Sequence, residues 1–190
     1  MTVRTLIART FLGLTGWEAV GERIPDQKIV VAVAPHTSNW DLPYGLAIAR
    51  LLNIRISWLA KHTLFWWPFG PLLRSLGGIP VRRDRPEEVV DQIVRAFDEA
   101  EALSLAITPE ATRRHTTHWK SGFYRIAKTA GVPIQLGFID YSRKRGGLGP
   151  AITPSGDVRA DMDEIRAFFA DKVGRYPEKK GEIRLHEEEL

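Results

Sequence analysis

The sequence contains no cysteine. Disulfide bonds, thiolate nucleophiles and cysteine-bound metal ions are therefore excluded together. Low-complexity tracts and internal repeats are also absent, and a chain with 44% hydrophobic and 26% charged residues has the composition of a folded protein. At 190 residues, we expect one domain that spans residues 1–190.

Long apolar runs are missing as well. No stretch reaches the roughly 20 uncharged apolar residues that a membrane-spanning helix needs, and the beginning of the sequence lacks the cleavage pattern of a signal peptide. We therefore expect a cytoplasmic protein. The net charge of +4 and the pI near 9.5 fit a partner that carries phosphate groups. Because no long basic stripe and no zinc-finger, RNP or basic-helix signature is present, we expect no nucleic-acid partner.

Apolar runs and helical spacings alternate along the chain, which predicts an α/β fold with a mixed, largely parallel sheet flanked by helices. Strands are predicted at residues 29–35, 54–60, 78–81, 103–108, 133–140 and about 151–153, and residues 143–150 are predicted as turns. Helices are predicted at residues 5–17, 42–52, 122–129 and 161–173, with a further helix start at residues 84–88.

Two apolar segments have more than one interpretation. Residues 1–27 contain an amphipathic helix that fits a bilayer surface and equally fits packing on the core. Residues 64–73 (LFWWPFGPLL) are too broken by proline and glycine for a long regular helix. This aromatic segment fits an apolar trough, a membrane surface or the core.

Polar residues follow three of the predicted strands, namely His36 to Asp41, Arg82 with Arg83, and Glu110 to Arg114. Because sites in such sheets lie beyond the carboxyl ends of the strands, the three groups point to one cleft.

His36 and Asp41 lie five residues apart across a turn, so the carboxylate can orient the imidazole while its other nitrogen accepts a proton. Alone, the segment also fits a helix cap in which His36 is an ordinary turn residue.

In order, these segments resemble the sequence blocks of the glycerolipid and lysophospholipid acyltransferase family. Residues 36–41 (HTSNWD) match the HxxxxD block, and residues 77–83 match a second block that carries its arginine at Arg83. Residues 109–113 (PEATR) match the PEGTR block except at one position, and residues 132–134 match the start of the fourth block. The resemblance covers residues 29–140, the motif-bearing core.

This resemblance implies an O-acyltransferase in which His36 is the general base and Asp41 orients it. The base would deprotonate the hydroxyl of a lysophospholipid such as 1-acylglycerol-3-phosphate. The hydroxyl would then attack the thioester of acyl-CoA or acyl-carrier protein, without an acyl-enzyme, a metal ion or another cofactor. The family implies substrate-binding roles for further positions: Arg83, Glu110, Thr112, Arg113, Lys120 and Lys61. For Glu110, the resemblance implies that it holds either the loop or a polar group of the acceptor.

Two positions depart from the family's blocks. Ala111 replaces the usual glycine and Leu136 replaces a proline. The family's hydrophobic N-terminal span is also missing, so membrane access would rely on residues 6–17, the aromatic segment and positive charge, with the protein peripheral on the cytoplasmic face. A lipid-binding relative with weak or lost activity and a thioesterase that uses the same pair are the alternatives.

Overall fold

The computed structural model describes residues 2–21, 27–82 and 86–189. Seven strands form one sheet, and six α-helices and three short 3-10 helices lie in the described ranges. The strands are Glu18–Val20 (β1), Lys28–Ala34 (β2), Ile56–Lys61 (β3), Gly78–Val81 (β4), Leu103–Ile107 (β5), Ile134–Asp140 (β6) and Arg145–Ile152 (β7). The α-helices are Val3–Thr15 (α1), Asp41–Leu51 (α2), Phe69–Ser75 (α3), Pro86–Glu99 (α4), Gly122–Ala130 (α5) and Val158–Phe169 (α6). The 3-10 helices are His62–Leu64, Pro177–Lys179 and His186–Glu189.

The sheet order is β1-β7-β6-β2-β5-β3-β4. The strands from β6 to β4 in this order are parallel, whereas β7 is antiparallel to β6 and carries β1 parallel to itself. The predicted α/β fold with a mixed, largely parallel sheet is thus confirmed.

Strand β2 is central because its side chains are apolar on both faces. Val30 and Ala32 join the larger core, to which helices α4, α5 and α6 contribute residues, and Ile29 and Val31 are buried on the opposite face. A continuous apolar strand is stable only when helices cover both sides of the sheet. The sheet therefore holds the end of β2 rigidly in the middle of the molecule.

Helix α1 packs on α2 through Ala8 and Leu12, while Leu6, Ile7 and Leu14 point to solvent. The interpretation of this helix as a core element is therefore correct for one of its faces.

Several predicted boundaries were wrong by a few residues; for example, α6 was predicted at residues 161–173 and is Val158–Phe169. Helix α2 begins at Asp41, inside the HTSNWD segment and not after it, because Pro43 lies in the first turn, where its missing N–H costs no hydrogen bond. Strand β7 includes most of the segment predicted as turns. A Cβ at Gly147 would overlap the carbonyl oxygen of Val20, so this glycine permits close approach of strand β1. The three-residue strand β1 itself was not predicted.

Candidate active site

Several predicted site residues lie at the carboxyl ends of the parallel strands. His36 follows β2, Glu110 follows β5, and Lys61 is the last residue of β3. Because β2, β5 and β3 are adjacent, the three residues occupy one edge of the sheet. Arg83, predicted to follow β4, lies outside the described residues.

His36 and Asp41 form a hydrogen-bonded pair. The distance from Nδ1 of His36 to Oδ2 of Asp41 is 3.0 Å, and the two side chains are 20% and 4% exposed. With Nδ1 donating to the carboxylate, Nε2 is left with a lone pair that can accept a proton. The pair is therefore arranged as an oriented base with partial access to substrate.

Asp41 is held by more than the histidine. Its Oδ2 also accepts the backbone N–H groups of Thr37 at 3.0 Å and Ser38 at 2.9 Å, and its Oδ1 accepts the hydroxyl of Tyr141 at 2.8 Å. These donors fix the carboxylate in one orientation and stabilise its charge. Helix α2 begins here without a side-chain cap, so the helix-cap interpretation of this segment is wrong and the turn holds the oriented pair.

Glu110 positions the backbone beside the pair. Its Oε2 accepts the N–H of His36 at 2.6 Å and its Oε1 accepts the N–H of Gly181 at 3.4 Å, and the residue is 2% exposed. Burial raises the pKa of Glu110, and the two backbone hydrogen bonds oppose that rise. Glu110 therefore ties the loop after β5 to the end of β2, with its carboxylate turned inward.

The cationic side chains of this loop are exposed. Arg113 and Lys120 are exposed, and so is Lys61 on the neighbouring strand end. The backbone N–H of Lys120 donates to Pro109 at 2.8 Å, which closes the loop on itself. Thr112 accepts the N–H of Arg114 at 3.2 Å, which is a local turn contact. The loop thus carries exposed cations at the same edge of the sheet as His36.

One group of potential metal ligands occurs in the described ranges, and it is separate from the pair. His118, His186 and Glu189 bring their ligand atoms within 4.8 Å of one another. His118 already bonds Glu189 at 2.8 Å, and its ring stacks on that of His186.

A family model and a solved structure match this chain. The family model described as Acyltransferase matches residues 18–135, which is more than half of the chain. The chain belongs to the Acyltransferase family. Its resemblance to acyltransferases is thereby confirmed, and the protein is an acyltransferase enzyme.

The fold is also similar to a solved structure, the 1-acyl-sn-glycerophosphate (LPA) acyltransferase PlsC from Thermotoga maritima. The TM-score is 0.58 at 18% sequence identity, and the match covers 88% of this chain and 74% of that chain. No curated protein matches the chain. This structural similarity supports the α/β fold described above for the chain.

Two parts of the site lie beyond the Acyltransferase match and were not predicted from the sequence. Tyr141 bonds Asp41, and the backbone of Gly181 bonds Glu110. Tyr141 directly follows β6, so the rule that sites lie beyond strand ends could have identified it. The contact of Gly181 has no comparable signal, because it depends on how the last 20 or so residues fold back.

Replacement of Tyr141 by Phe is expected to lower kcat about tenfold, because a hydrogen bond to a charged group contributes roughly 1.5 to 3 kcal/mol. Tyr124 is a matched control, since its hydroxyl donates to buried Asp161 at 2.6 Å. Burial and the bonded carboxylate raise the pKa of both phenols, that of Tyr124 to about 12. Urea unfolding and steady-state kinetics should show that both Tyr→Phe variants lose stability and that Tyr141→Phe alone loses activity. Equal kcat values for the two variants would contradict this role.

Ala111 has the backbone conformation that the family's glycine would favour. Its φ is 54°, in the left-handed region, and the neighbouring Glu110 remains bonded to His36. The alanine therefore strains the loop without displacing it, which argues against weak or lost activity through this substitution.

Replacement of Ala111 by Gly should therefore stabilise the protein. Relief of about 1 to 2 kcal/mol of strain outweighs the roughly 0.5 to 1 kcal/mol that a more flexible unfolded chain costs. Urea unfolding should show a net gain of roughly 0.5 to 1 kcal/mol. Ala96→Gly in helix α4 is the control and should lose a similar amount. A loss of stability in both variants would rule out strain at Ala111.

Proposed function

We propose that this acyltransferase moves a fatty acyl group from an acyl thioester to the hydroxyl of a lysophospholipid, with His36 as the general base. The observation that carries the proposal is the bond from Nδ1 of His36 to the buried carboxylate of Asp41, which leaves Nε2 available at a partly exposed position. The order of the sequence blocks and the family membership give the reaction class.

In the proposed reaction, Nε2 of His36 takes the proton of the acceptor hydroxyl as its oxygen attacks the thioester carbonyl carbon. Asp41 stabilises the imidazolium that forms. Collapse of the tetrahedral intermediate breaks the carbon–sulfur bond, and the proton passes from His36 to the leaving thiolate. The products are an ester and a free thiol, so atoms and charge balance without a metal ion or an acyl-enzyme.

The acceptor is proposed to be phosphorylated, as in 1-acylglycerol-3-phosphate. Arg113, Lys120 and Lys61 are exposed cations at the same sheet edge as His36, and Arg83 is proposed to join them. Guanidinium and ammonium groups bind phosphate strongly when they converge on it. Both proposed donors, acyl-CoA and acyl-carrier protein, present the acyl group as a thioester.

Contact with a membrane surface is proposed through the aromatic segment at residues 64–73. Within the described residues, no helix is both long and apolar enough to cross a bilayer. The segment follows the end of β3 and exposes Trp67 at 82%, together with Leu64, Trp66, Phe69 and Leu72. Exposed Lys61 at its start would favour an anionic surface. A peripheral position on the cytoplasmic face would give the active site access to membrane lipids.

Replacement of Trp66 and Trp67 by Ser should weaken binding to anionic phospholipid vesicles by roughly tenfold or more, because each buried tryptophan contributes well over 1 kcal/mol. Vesicle sedimentation measures the partition. A second double variant, Leu6→Ser with Ile7→Ser, tests the exposed face of α1 in the same assay. Unchanged partition of the tryptophan variant would refute contact through the aromatic segment.

The proposed function is tested by mass spectrometry of lipid products after incubation with mixed acyl thioesters and candidate lysolipids. We expect a diacyl product and one thiol released per ester formed. Thiol release at the same rate without acceptor, with free fatty acid as product, would identify a thioesterase instead. Absence of turnover with every pair of substrates would favour the lipid-binding alternative.

A further inference from the structure

Residues 173–176, which we call the site strap, lie outside the residues that the family model matches. They contact residues next to His36 and Asp41. The N–H of Tyr141 donates to the carbonyl of Val173 at 2.9 Å, and the N–H of Tyr176 donates to Oγ1 of Thr37 at 3.2 Å. Thr37 is the neighbour of His36 in the chain. Both ends of the site strap are therefore bonded to residues that adjoin the catalytic pair.

Gly174 shows how closely the site strap is packed. A Cβ at this buried position would lie 2.7 Å from Oγ1 of Thr37 and 3.3 Å from Cβ of Pro35. A larger residue would force the side chain of Thr37 or the site strap to shift. The position of the next residue, Arg175, is consequently fixed relative to His36.

Arg175 is an exposed cation that lies near the faces of two aromatic rings. Its guanidinium carbon lies 5.6 Å from the ring centre of Trp40 and 5.9 Å from that of Tyr176. Among residues 2–21, 27–82 and 86–189, no carboxylate forms an ion pair with Arg175. Aromatic faces restrict a guanidinium while leaving its N–H groups available for an anion.

The site strap and the loop after β5 are connected to the two strands that flank β2, the strand that His36 follows. The site strap is bonded to the residue after β6, and the loop that carries Arg113 follows β5. Acyl transfer brings two substrates together at one base, and both proposed substrates carry phosphate. Exposed cations that come from the two sides of β2 match this requirement.

We propose that Arg175 binds a phosphate group of a substrate of the acyl transfer, opposite the cations of the loop after β5. The inference rests on the proposed function for the identity of the substrates. The acyl-CoA or carrier-protein donor and the lysophospholipid acceptor are the two sources of such a phosphate.

The test compares Arg175→Gln and Arg175→Lys with the wild type on four substrate pairs. The donor is either acyl-CoA or the phosphate-free acyl-N-acetylcysteamine, and the acceptor is either lysophosphatidate or monoacylglycerol. Because one charge-assisted hydrogen-bonded contact is lost, Arg175→Gln should raise the KM of one substrate about tenfold to a hundredfold, with kcat changed less than about threefold. Arg175→Lys should restore part of the affinity, since it keeps the charge and loses the planar fork.

The increase in KM should disappear when the phosphate is removed from that substrate, which also identifies the donor or the acceptor as its source. Arg125→Gln is the control, because Arg125 is an exposed arginine paired with Glu87 in another region of the surface. KM values within about twofold of wild type for both substrates, or an equal increase for the phosphate-free pair, would overturn the proposal.

Calorimetric titration of coenzyme A and of lysophosphatidate keeps this test independent of turnover. His36→Ala and the double variant with Arg175→Gln are compared, and circular dichroism verifies that both are folded. Weaker binding of one ligand to the double variant supports the proposal, and equal binding of both ligands refutes it. An inactive wild type would refute the proposed function without deciding this result.

Discussion

Replacement of His36 by Ala is expected to reduce acyl transfer by about a hundredfold to ten-thousandfold, because a positioned general base contributes a factor of this size. Asp41 would remain bonded to two backbone N–H groups and to Tyr141, so the turn should keep its shape. The backbone N–H of residue 36 would also keep its bond to Glu110. The loss should therefore fall on kcat, with the KM values of both substrates and the thermal stability close to those of the wild type.

A thiol-release assay with purified variants measures this effect. His186→Ala is a suitable control, because His186 is exposed and stacks on His118 without a contact to the pair. The control should retain full activity. If His36→Ala kept more than about a tenth of the wild-type rate, a general-base role for His36 would be untenable.

Much of the fold could be predicted because its central strand has one clear signature. The uninterrupted apolar run of β2 permits only a position covered on both faces, and this position places His36 at an internal strand end. The same logic failed for β7, because Gly147 is set by the approach of Val20 from a distant segment. Glycine-rich sequence is typical of turns, and only the neighbouring strand shows that it forms a strand here.

The central pair of the candidate site could also be predicted from the sequence, whereas the contacts that support it could not. The spacing of five residues places Asp41 within reach of His36, and the pair is bonded as the sequence indicates. The direction of Glu110 could not be predicted, because a strand end does not specify whether a carboxylate turns toward substrate or toward the backbone of a neighbouring strand. Tyr141 bonds Asp41 across a separation of 100 residues, and the site strap bonds Thr37 across 139 residues, which local patterns do not encode.

The second large effect is expected for Asp41→Asn, which keeps the shape of the side chain and removes its charge. One amide oxygen can still accept the N–H groups of Thr37 and Ser38 if the NH2 group faces Tyr141, whose hydroxyl can then rotate to accept. The cost in stability should thus be modest, about 1 to 3 kcal/mol. The imidazolium that forms during proton transfer would lose its stabilising carboxylate, so kcat should fall by about a hundredfold to ten-thousandfold.

Asp161→Asn separates this effect from a general loss of stability. Asp161 is also buried, and it accepts the hydroxyl of Tyr124 at 2.6 Å and that of Ser155 at 2.7 Å. Urea unfolding should show similar losses for the two Asp→Asn variants, because each replaces a charged acceptor by a neutral one at a buried site. Kinetics should show a loss of kcat for Asp41→Asn alone. A parallel fall in kcat for both variants would mean that Asp41 supports the fold and contributes nothing particular to proton transfer, and the role of His36 as an oriented base would then lose its principal support.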